Sequence, residues 1–264
     1  MTDSIASKVS ILRVNSTPSE QEAALSRTLG LPLLAANKLQ ASAVDYYLRF
    51  DPEGLSLYSN EPGAPGAVRV DFSDAGLNYR ARDSIKHQNI VKAIGLRGSN
   101  IPNVLDATAG LAKDAYLLAS LGCKVQMLER SGIVHALLAD GINRGLQAEA
   151  KTAEIVRNMQ LRNVDFFAVA CHLPPVDVVY LDPMFPIRSK SARAKKEMYL
   201  LQRLLGTSGD ISKMLELALS LACRRVVVKR AKMSPCLAGR SPDIEFKGSS
   251  SRYDVYLTRA GAPV

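Results

Sequence analysis

The rhythm of apolar and polar positions changes once along the chain, near residue 95. Before that point, apolar residues come in short alternating runs separated by turn formers. Ala43–Phe50, Leu55–Tyr58 and Ala67–Phe72 each read as a strand. Between the last two, Asn60-Glu61-Pro62-Gly63-Ala64-Pro65-Gly66 reads as a loop from its density of proline and glycine. Pro18–Leu29 reads as a helix, and so does Ser84–Ile94, which leads into a junction at Gly95-Leu96-Arg97-Gly98-Ser99. Residues 1–95 are therefore expected to form a small N-terminal α+β module.

Beyond the junction, strand and helix patterns alternate. Val104–Asp106, Lys124–Glu129, Val164–Val169, Val176–Leu181 and Arg225–Val228 read as strands. Lys113–Leu121, Ile133–Arg144, Ala150–Gln160, Lys195–Leu205 and Ile211–Ala222 read as helices. Ile244–Lys247 and Tyr253–Thr258 flank Gly248-Ser249-Ser250-Ser251 and read as a terminal hairpin. Such alternation predicts an α/β fold, a mostly parallel sheet covered on both faces. With the hairpin as an antiparallel edge, residues 96–264 resemble the seven-stranded, Rossmann-like class I methyltransferase sheet.

Composition narrows the class. Apolar residues make up 47% of the 264 and charged residues 22%, ordinary for a folded protein with a sizeable core. The net charge of +9 favours a polyanionic partner, because basic side chains gain by releasing counterions from phosphates. Cys123, Cys171, Cys223 and Cys236 form no CxxC pair and read as reduced thiols; with three histidines, no metal-ligand spacing is present. No apolar stretch is long enough to span a bilayer, and the start lacks a signal-peptide pattern. The expectation is a cytoplasmic protein with neither metal nor membrane partner.

Two segments carry candidate cofactor chemistry. Asp106-Ala107-Thr108-Ala109-Gly110-Leu111-Ala112-Lys113-Asp114 follows a strand and opens a helix, where small residues let a ligand approach the backbone. A dinucleotide loop needs three glycines around a pyrophosphate, and only Gly110 is present. An acidic residue followed by small residues and one glycine better suits S-adenosylmethionine, which has no phosphate. Glu129 ends the next strand, where a carboxylate can accept both ribose hydroxyls of an adenosine. These elements alone do not separate a methyltransferase from other nucleoside-binding proteins of this fold.

The segment Val178-Val179-Tyr180-Leu181-Asp182-Pro183-Met184-Phe185-Pro186 goes further. It resembles the (Asp/Asn)-Pro-Pro-(Tyr/Phe) motif of amine-directed nucleic-acid methyltransferases, with Met184 in place of the second proline. An exocyclic amine on a base is a poor nucleophile, so positioning and electrostatics must supply most of the rate. The Asp182 carboxylate and the Pro183 carbonyl can accept its N–H bonds, and Phe185 can stack on the extruded base. Basic residues follow at once: Arg188, Lys190, Arg193, Lys195 and Lys196. Arg80, Arg82, Lys86 and His87 form a second group, and Arg224, Arg225, Lys229 and Arg230 a third. Phosphate contacts from such groups would fix the register of an RNA. Lys229 and Arg230 also lie at a strand's carboxyl end, where they can face the site.

Taken together, Asp106–Asp114, Met127-Leu128-Glu129-Arg130, Tyr180–Pro186, Lys195-Lys196-Glu197-Met198 and Val227-Val228-Lys229-Arg230 resemble the bacterial small-subunit (16S) ribosomal RNA guanine-N2 methyltransferases of the RsmJ type. The resemblance spans roughly Val68 to Leu257, and Met184 is that family's own variant of the loop. It implies a cytosolic enzyme that uses S-adenosylmethionine to methylate one guanine of 16S rRNA in the small subunit. It also implies cofactor contacts from Lys113 and Asp114, from Glu129 and Arg130, and from Asp182. A further pair, at the end of the third catalytic-domain strand, falls near Ala170 and Cys171. The chain departs from the family at Ala112 and Lys113, where Gly-Arg is usual, and lacks the glycine run in the basic stretch before the domain. Adenine-N6 methylation and a non-catalytic RNA-binding assembly factor are the competing readings.

Overall fold

The computed structural model describes residues 8–64, 66–74, 77, 88–183, 194–206 and 210–258. They fall into two compact units, neither of which is one continuous stretch. The first gathers described residues within 1–71, 132–144 and 185–207, and the second those within 72–131, 145–184 and 208–264.

The first unit holds a four-stranded sheet built from β1 (Val9–Arg13), β2 (Leu33–Ala35), β3 (Tyr46–Asp51) and β4 (Gly54–Ser59), in the order β2-β1-β3-β4. β1 runs parallel to β2 and β3, and β3 pairs with β4 as an antiparallel hairpin. Helix α1 (Glu20–Leu29) starts with a capping box, in which Ser19 and Glu22 each satisfy the other's backbone N–H, and ends at Gly30 with φ 64°. Val68, Val70 and Phe72 alternate in burial as the expected strand would, but the ladder stops at a single bridge, Leu57 to Val68. Alternating burial mimicked a strand there without a partner to pair with.

The second unit contains a seven-stranded sheet ordered β10-β11-β9-β8-β5-β6-β7. Its parallel strands are β5 (Val104–Asp106), β6 (Val125–Glu129), β7 (Met159–Asn163), β8 (Val176–Leu181) and β9 (Ala222–Ala231). The hairpin of β10 (Ile244–Lys247) and β11 (Ser251–Leu257) closes one edge in antiparallel fashion. This is the Rossmann-like methyltransferase sheet expected. Val104, Val125, Val178, Val179, Leu181 and Val226–Val228 are all buried, as a sheet covered on both faces requires.

Connecting helices follow local signals. α2 (Asn89–Ile94) ends at Gly95 in the left-handed region; its expected start at Ser84 lies outside the described residues. α3 is Lys113–Ala119, α4 Gly132–Leu146 and α5 Ala150–Arg157. The apolar run Val164–Val169, expected as a strand, instead holds the short helix α6 (Phe166–Val169), because Asp165 caps it by accepting the Phe167 N–H at 2.9 Å. The strand lies just upstream, as β7. α7 is Ala194–Leu205. α8 (Ile211–Leu221) is capped by Asp210 and buries Met214, Leu215, Ala218 and Leu221 on one face.

Strand order reverses beside β5. The chain runs outward through β6 and β7, then returns to place β8 on the other side of β5. Ligands of open α/β sheets bind at the carboxyl edge of such a switch point. Asp106, Glu129 and Asp182 all stand at that edge.

Candidate active site

The loop after β5 is tied to both neighbouring strands. The Ala107 N–H donates to the Tyr180 carbonyl at 3.1 Å, and the Ala109 N–H to the Leu128 carbonyl at 3.1 Å. Gly110 and Ala112 both adopt left-handed φ, 53° and 54°. A Cβ on Gly110 would meet only the Thr108 carbonyl, at 3.8 Å, so the loop is open on that side. Ala112 is buried and holds its conformation without glycine's freedom, which gives the family's usual glycine at this position a backbone reason. Lys113 and Asp114 then open α3, Lys113 exposed and Asp114 half-buried.

Glu129 organises the second element. Its buried carboxylate accepts the Gly110 N–H at 3.1 Å through one oxygen and the Ser131 N–H at 2.7 Å through the other. Burial raises its pKa, opposed by those backbone donors and by the charge of the exposed Arg130. Each oxygen retains a second lone pair, enough for a pair of hydroxyls. Asp106 is deeper still. Burial pushes its pKa up to about 8; the Thr108 N–H opposes the shift, and the charges of Asp114, Asp182 and Glu129 add to it.

On the target side, Asp182 follows β8 and is held from two directions. Its N–H donates to Thr108 Oγ1 at 2.6 Å, and its Oδ2 accepts from Lys229 Nζ at 3.0 Å. Lys229 Nζ also reaches Asp114 Oδ2 at 2.6 Å, and the Tyr180 hydroxyl donates to that same oxygen at 2.6 Å. Burial disfavours charge on Lys229, but Asp114 and Asp182 outweigh it and hold its pKa above the ordinary lysine value. Asp182 is raised by burial and by Asp114, and pulled down by Lys229. Pro183 is buried directly after it.

Asp106, Ala107, Gly110, Lys113, Asp114, Glu129, Arg130, Asp182 and Pro183 thus stand on neighbouring segments at one sheet edge. Ala170 and Cys171 do not belong to the end of the third parallel strand. That strand stops at Asn163, whose Nδ2 donates to the Glu129 carbonyl at 2.8 Å, and Ala170–His172 form a turn after α6. The residues that follow β7 are Val164 and Asp165. The misplaced strand hid them, although the Asp-Phe-Phe sequence carries the helix-cap signal.

Lys229 was expected to meet RNA phosphate, yet its ammonium is turned onto two carboxylates. Arg230, expected likewise, is only 5% exposed and donates to the Pro235 carbonyl at 2.6 Å, which leaves it no open face for a phosphate in this conformation. Phe185, Arg188, Lys190, Arg193, Arg80, Arg82 and Lys86 lie outside the described residues, as do Met184 and His87; Lys195 and Lys196 fall in the first turn of α7. Among the described residues, no group of His, Cys, Asp and Glu is arranged to hold a metal ion, and no helix is long and apolar enough to cross a membrane.

The site fits adenosylmethionine better than a dinucleotide. Asp114, Glu129 and Asp182 all lie close enough to Asp106 to raise its pKa, an acidic setting that favours a cationic ligand and opposes a pyrophosphate. Comparison with known proteins agrees. The family model described as "Putative SAM-dependent methyltransferase" matches residues 33–258. The chain is 41% identical over 255 residues to a protein named ribosomal RNA small subunit methyltransferase J from Thioalkalivibrio sulfidiphilus, covering 95% of this chain and 98% of that one. It is 44% identical over 248 residues to the protein of the same name from Pseudomonas syringae, covering 92% and 89%. The crystal structure of a SAM-dependent methyltransferase from Neisseria gonorrhoeae matches with a TM-score of 0.70 at 33% identity, over 95% of this chain and 96% of that one. The carboxyl-edge site and these matches agree: the chain belongs to the S-adenosylmethionine-dependent methyltransferase family that includes the proteins named ribosomal RNA small subunit methyltransferase J.

Proposed function

We propose that the chain methylates the exocyclic N2 of a guanine in small-subunit (16S) ribosomal RNA. The observation that carries the reading is Asp182-Pro183 at the carboxyl end of β8, anchored to the cofactor loop through Thr108 and to β9 through Lys229. The names of relatives more than 40% identical over nine-tenths of the chain support the RNA target.

When bound, adenosylmethionine supplies an electrophilic methyl group on a cationic sulfur. The backbone of Ala107 and Gly110, with Lys113 and Asp114, holds its amino acid end, and Glu129 with Arg130 its ribose. Asp106 stiffens the cradle from below through the Thr108 N–H. Among the described residues only Oδ2 of Asp182 is engaged, which leaves Oδ1 to accept an N–H of the target amine. The Pro183 carbonyl takes the second N–H, and Phe185 stacks on the base. These groups aim the nitrogen lone pair; as the new C–N bond forms, the methyl–sulfur bond of the cofactor would break to leave a neutral thioether, and the amine proton would pass to water. Arg80, Arg82, Lys86, Arg188, Lys190, Arg193, Lys195 and Lys196 supply phosphate contacts, and residues 1–95 serve as an RNA-docking module.

Tritiated-methyl transfer onto unmodified small subunits and onto free 16S rRNA, followed by mapping of the labelled nucleotide, tests the reading. One labelled guanine is expected. Label on an adenine would favour N6 chemistry, and no transfer from a chain that fails to bind the cofactor would favour a non-catalytic factor.

A further inference from the structure

Lys229 carries a charge that the methyl-transfer chemistry itself does not call for. It nonetheless has an unusual setting: a lysine 29% exposed, at the end of a parallel strand, with its ammonium within 3.0 Å of two carboxylates from different elements. Asp114 comes from the first turn of α3, on the cofactor side, and Asp182 from the loop after β8, on the target side. Among the described residues, Lys229 is the side chain that bonds to both of these carboxylates.

We infer that Lys229 is a positioning residue: its ammonium bridges Asp114 and Asp182, fixes the Asp182 carboxylate beside it, and aims its free oxygen at the target amine. This rests on the amine-methylating reading of the Asp182 loop.

The charge balance gives the reason. The groups facing this spot are Asp114 from α3, Tyr180 and Asp182 from β8 and its loop, Asp106 from β5, and Tyr253 from β11, which pairs with Lys229 across the sheet; Glu129 on β6 faces Asp106. All are acids. Like charges at close range and partial desolvation both favour the protonated carboxyl. A carboxyl that gains a proton loses one acceptor oxygen and the negative charge that offsets positive charge growing on the amine nitrogen. Lys229 is the cation that reverses this, and it lowers the tendency of Asp182 to protonate. Tyr180 fixes the arrangement from the far side: its hydroxyl donates to the oxygen of Asp114 that Lys229 also holds, so the ammonium has a defined seat. An ammonium committed in this way is poorly placed to serve as a phosphate contact.

The test uses the full chain and two readouts. The first is the carboxyl 13C titration of Asp182 in aspartate-labelled protein without RNA, assigned by difference from Asp182→Asn. Lys229→Met is expected to move the Asp182 titration upward by about one pH unit or more, and Lys229→Arg to leave it near the wild-type position. The second is the pH profile of methyl transfer with saturating cofactor. Lys229→Met is expected to shift the acid limb of kcat in the same direction, losing roughly tenfold or more at pH values on that limb and recovering as pH rises. KM for RNA should stay within about threefold. Should Lys229→Met fail to fold, Lys229→Gln takes its place in both readouts. An unmoved Asp182 titration overturns the inference, and so does a raised KM for RNA with an unchanged pH profile, which would make Lys229 a phosphate contact. The titration needs no RNA, so a wild-type chain that methylates no RNA would sink the proposed function while leaving this result readable.

Discussion

The two halves of the site are held in place by different forces. On the cofactor side, Glu129 and Asp106 grip backbone N–H groups of Gly110, Ser131 and Thr108, and the loop is further tied by main-chain bonds to β6 and β8. On the target side, the Asp182 side chain is held by one shared ammonium, and its backbone by one threonine hydroxyl. A lattice of backbone bonds makes a rigid cradle that is costly to rearrange. An ion pair that is partly open to solvent is weaker and responds to pH and neighbouring charge. Changes on the first side are therefore expected to appear as lost cofactor affinity, and changes on the second as lost rate.

The largest contrast should come from Asp182→Ala. We expect kcat to fall on the order of 100- to 1,000-fold, while calorimetric titration with adenosylmethionine stays within about fivefold of wild type. A parallel loss of affinity would erase the distinction between the halves. Glu129→Ala should do the reverse, weakening cofactor binding by roughly 10- to 100-fold, because the loop loses its Gly110 and Ser131 anchors along with the hydroxyl acceptor. Unchanged affinity in that variant would remove Glu129 from the cofactor side.

Asp106 yields a smaller and pH-dependent effect. Its folded pKa of about 8 lies above the ordinary value of 3.8, so between those limits the folded chain binds more protons than the unfolded one. Its contribution therefore makes stability fall as pH rises from about 4 to about 8, by up to about 1.4 kcal/mol per pH unit. Asp106→Asn, which keeps an acceptor for the Thr108 N–H, should flatten that dependence in urea unfolding followed across pH. An identical slope in both proteins would mean that Asp106 is ionised in the fold.

The smallest effect is expected at Ala112. Glycine there relieves a left-handed conformation that costs about 1 kcal/mol and loses one buried methyl worth about 0.8 kcal/mol. Ala112→Gly should thus change the unfolding free energy by less than about 1 kcal/mol. A loss of several kcal/mol in thermal or urea unfolding would show that the buried methyl group dominates.

Elements that bury apolar runs, or end in them, were plain from the residues. β5, β8 and the loops after them carry Val104-Leu105-Asp106 and Tyr180-Leu181-Asp182, and both strands are buried along most of their length. β7 leaves no such trace, because Met159-Gln160-Leu161-Arg162-Asn163 lies at the sheet edge with most of its side chains open, so no apolar run marks it. The apolar run next to it belongs to a helix that a single aspartate starts. The four-stranded sheet is half legible: the β3–β4 hairpin shows alternation, while β2 has only three residues, none of them buried, and pairs in parallel with β1 across the intervening α1. The partners of Lys229 were beyond reach for a related reason. Asp114 and Asp182 lie 115 and 47 positions away, and only the sheet order brings them to one ammonium.

The most direct test compares the nucleosides of small-subunit ribosomal RNA from a host lacking this chain with those from the same host complemented by wild type or by Asp182→Ala, using mass spectrometry. Loss of one N2-methylguanosine in the deletion, restored by wild type but not by Asp182→Ala, is the expected result. Restoration by Asp182→Ala, or a restored nucleoside that is N6-methyladenosine, would contradict the role assigned to the loop or the base assigned as its target.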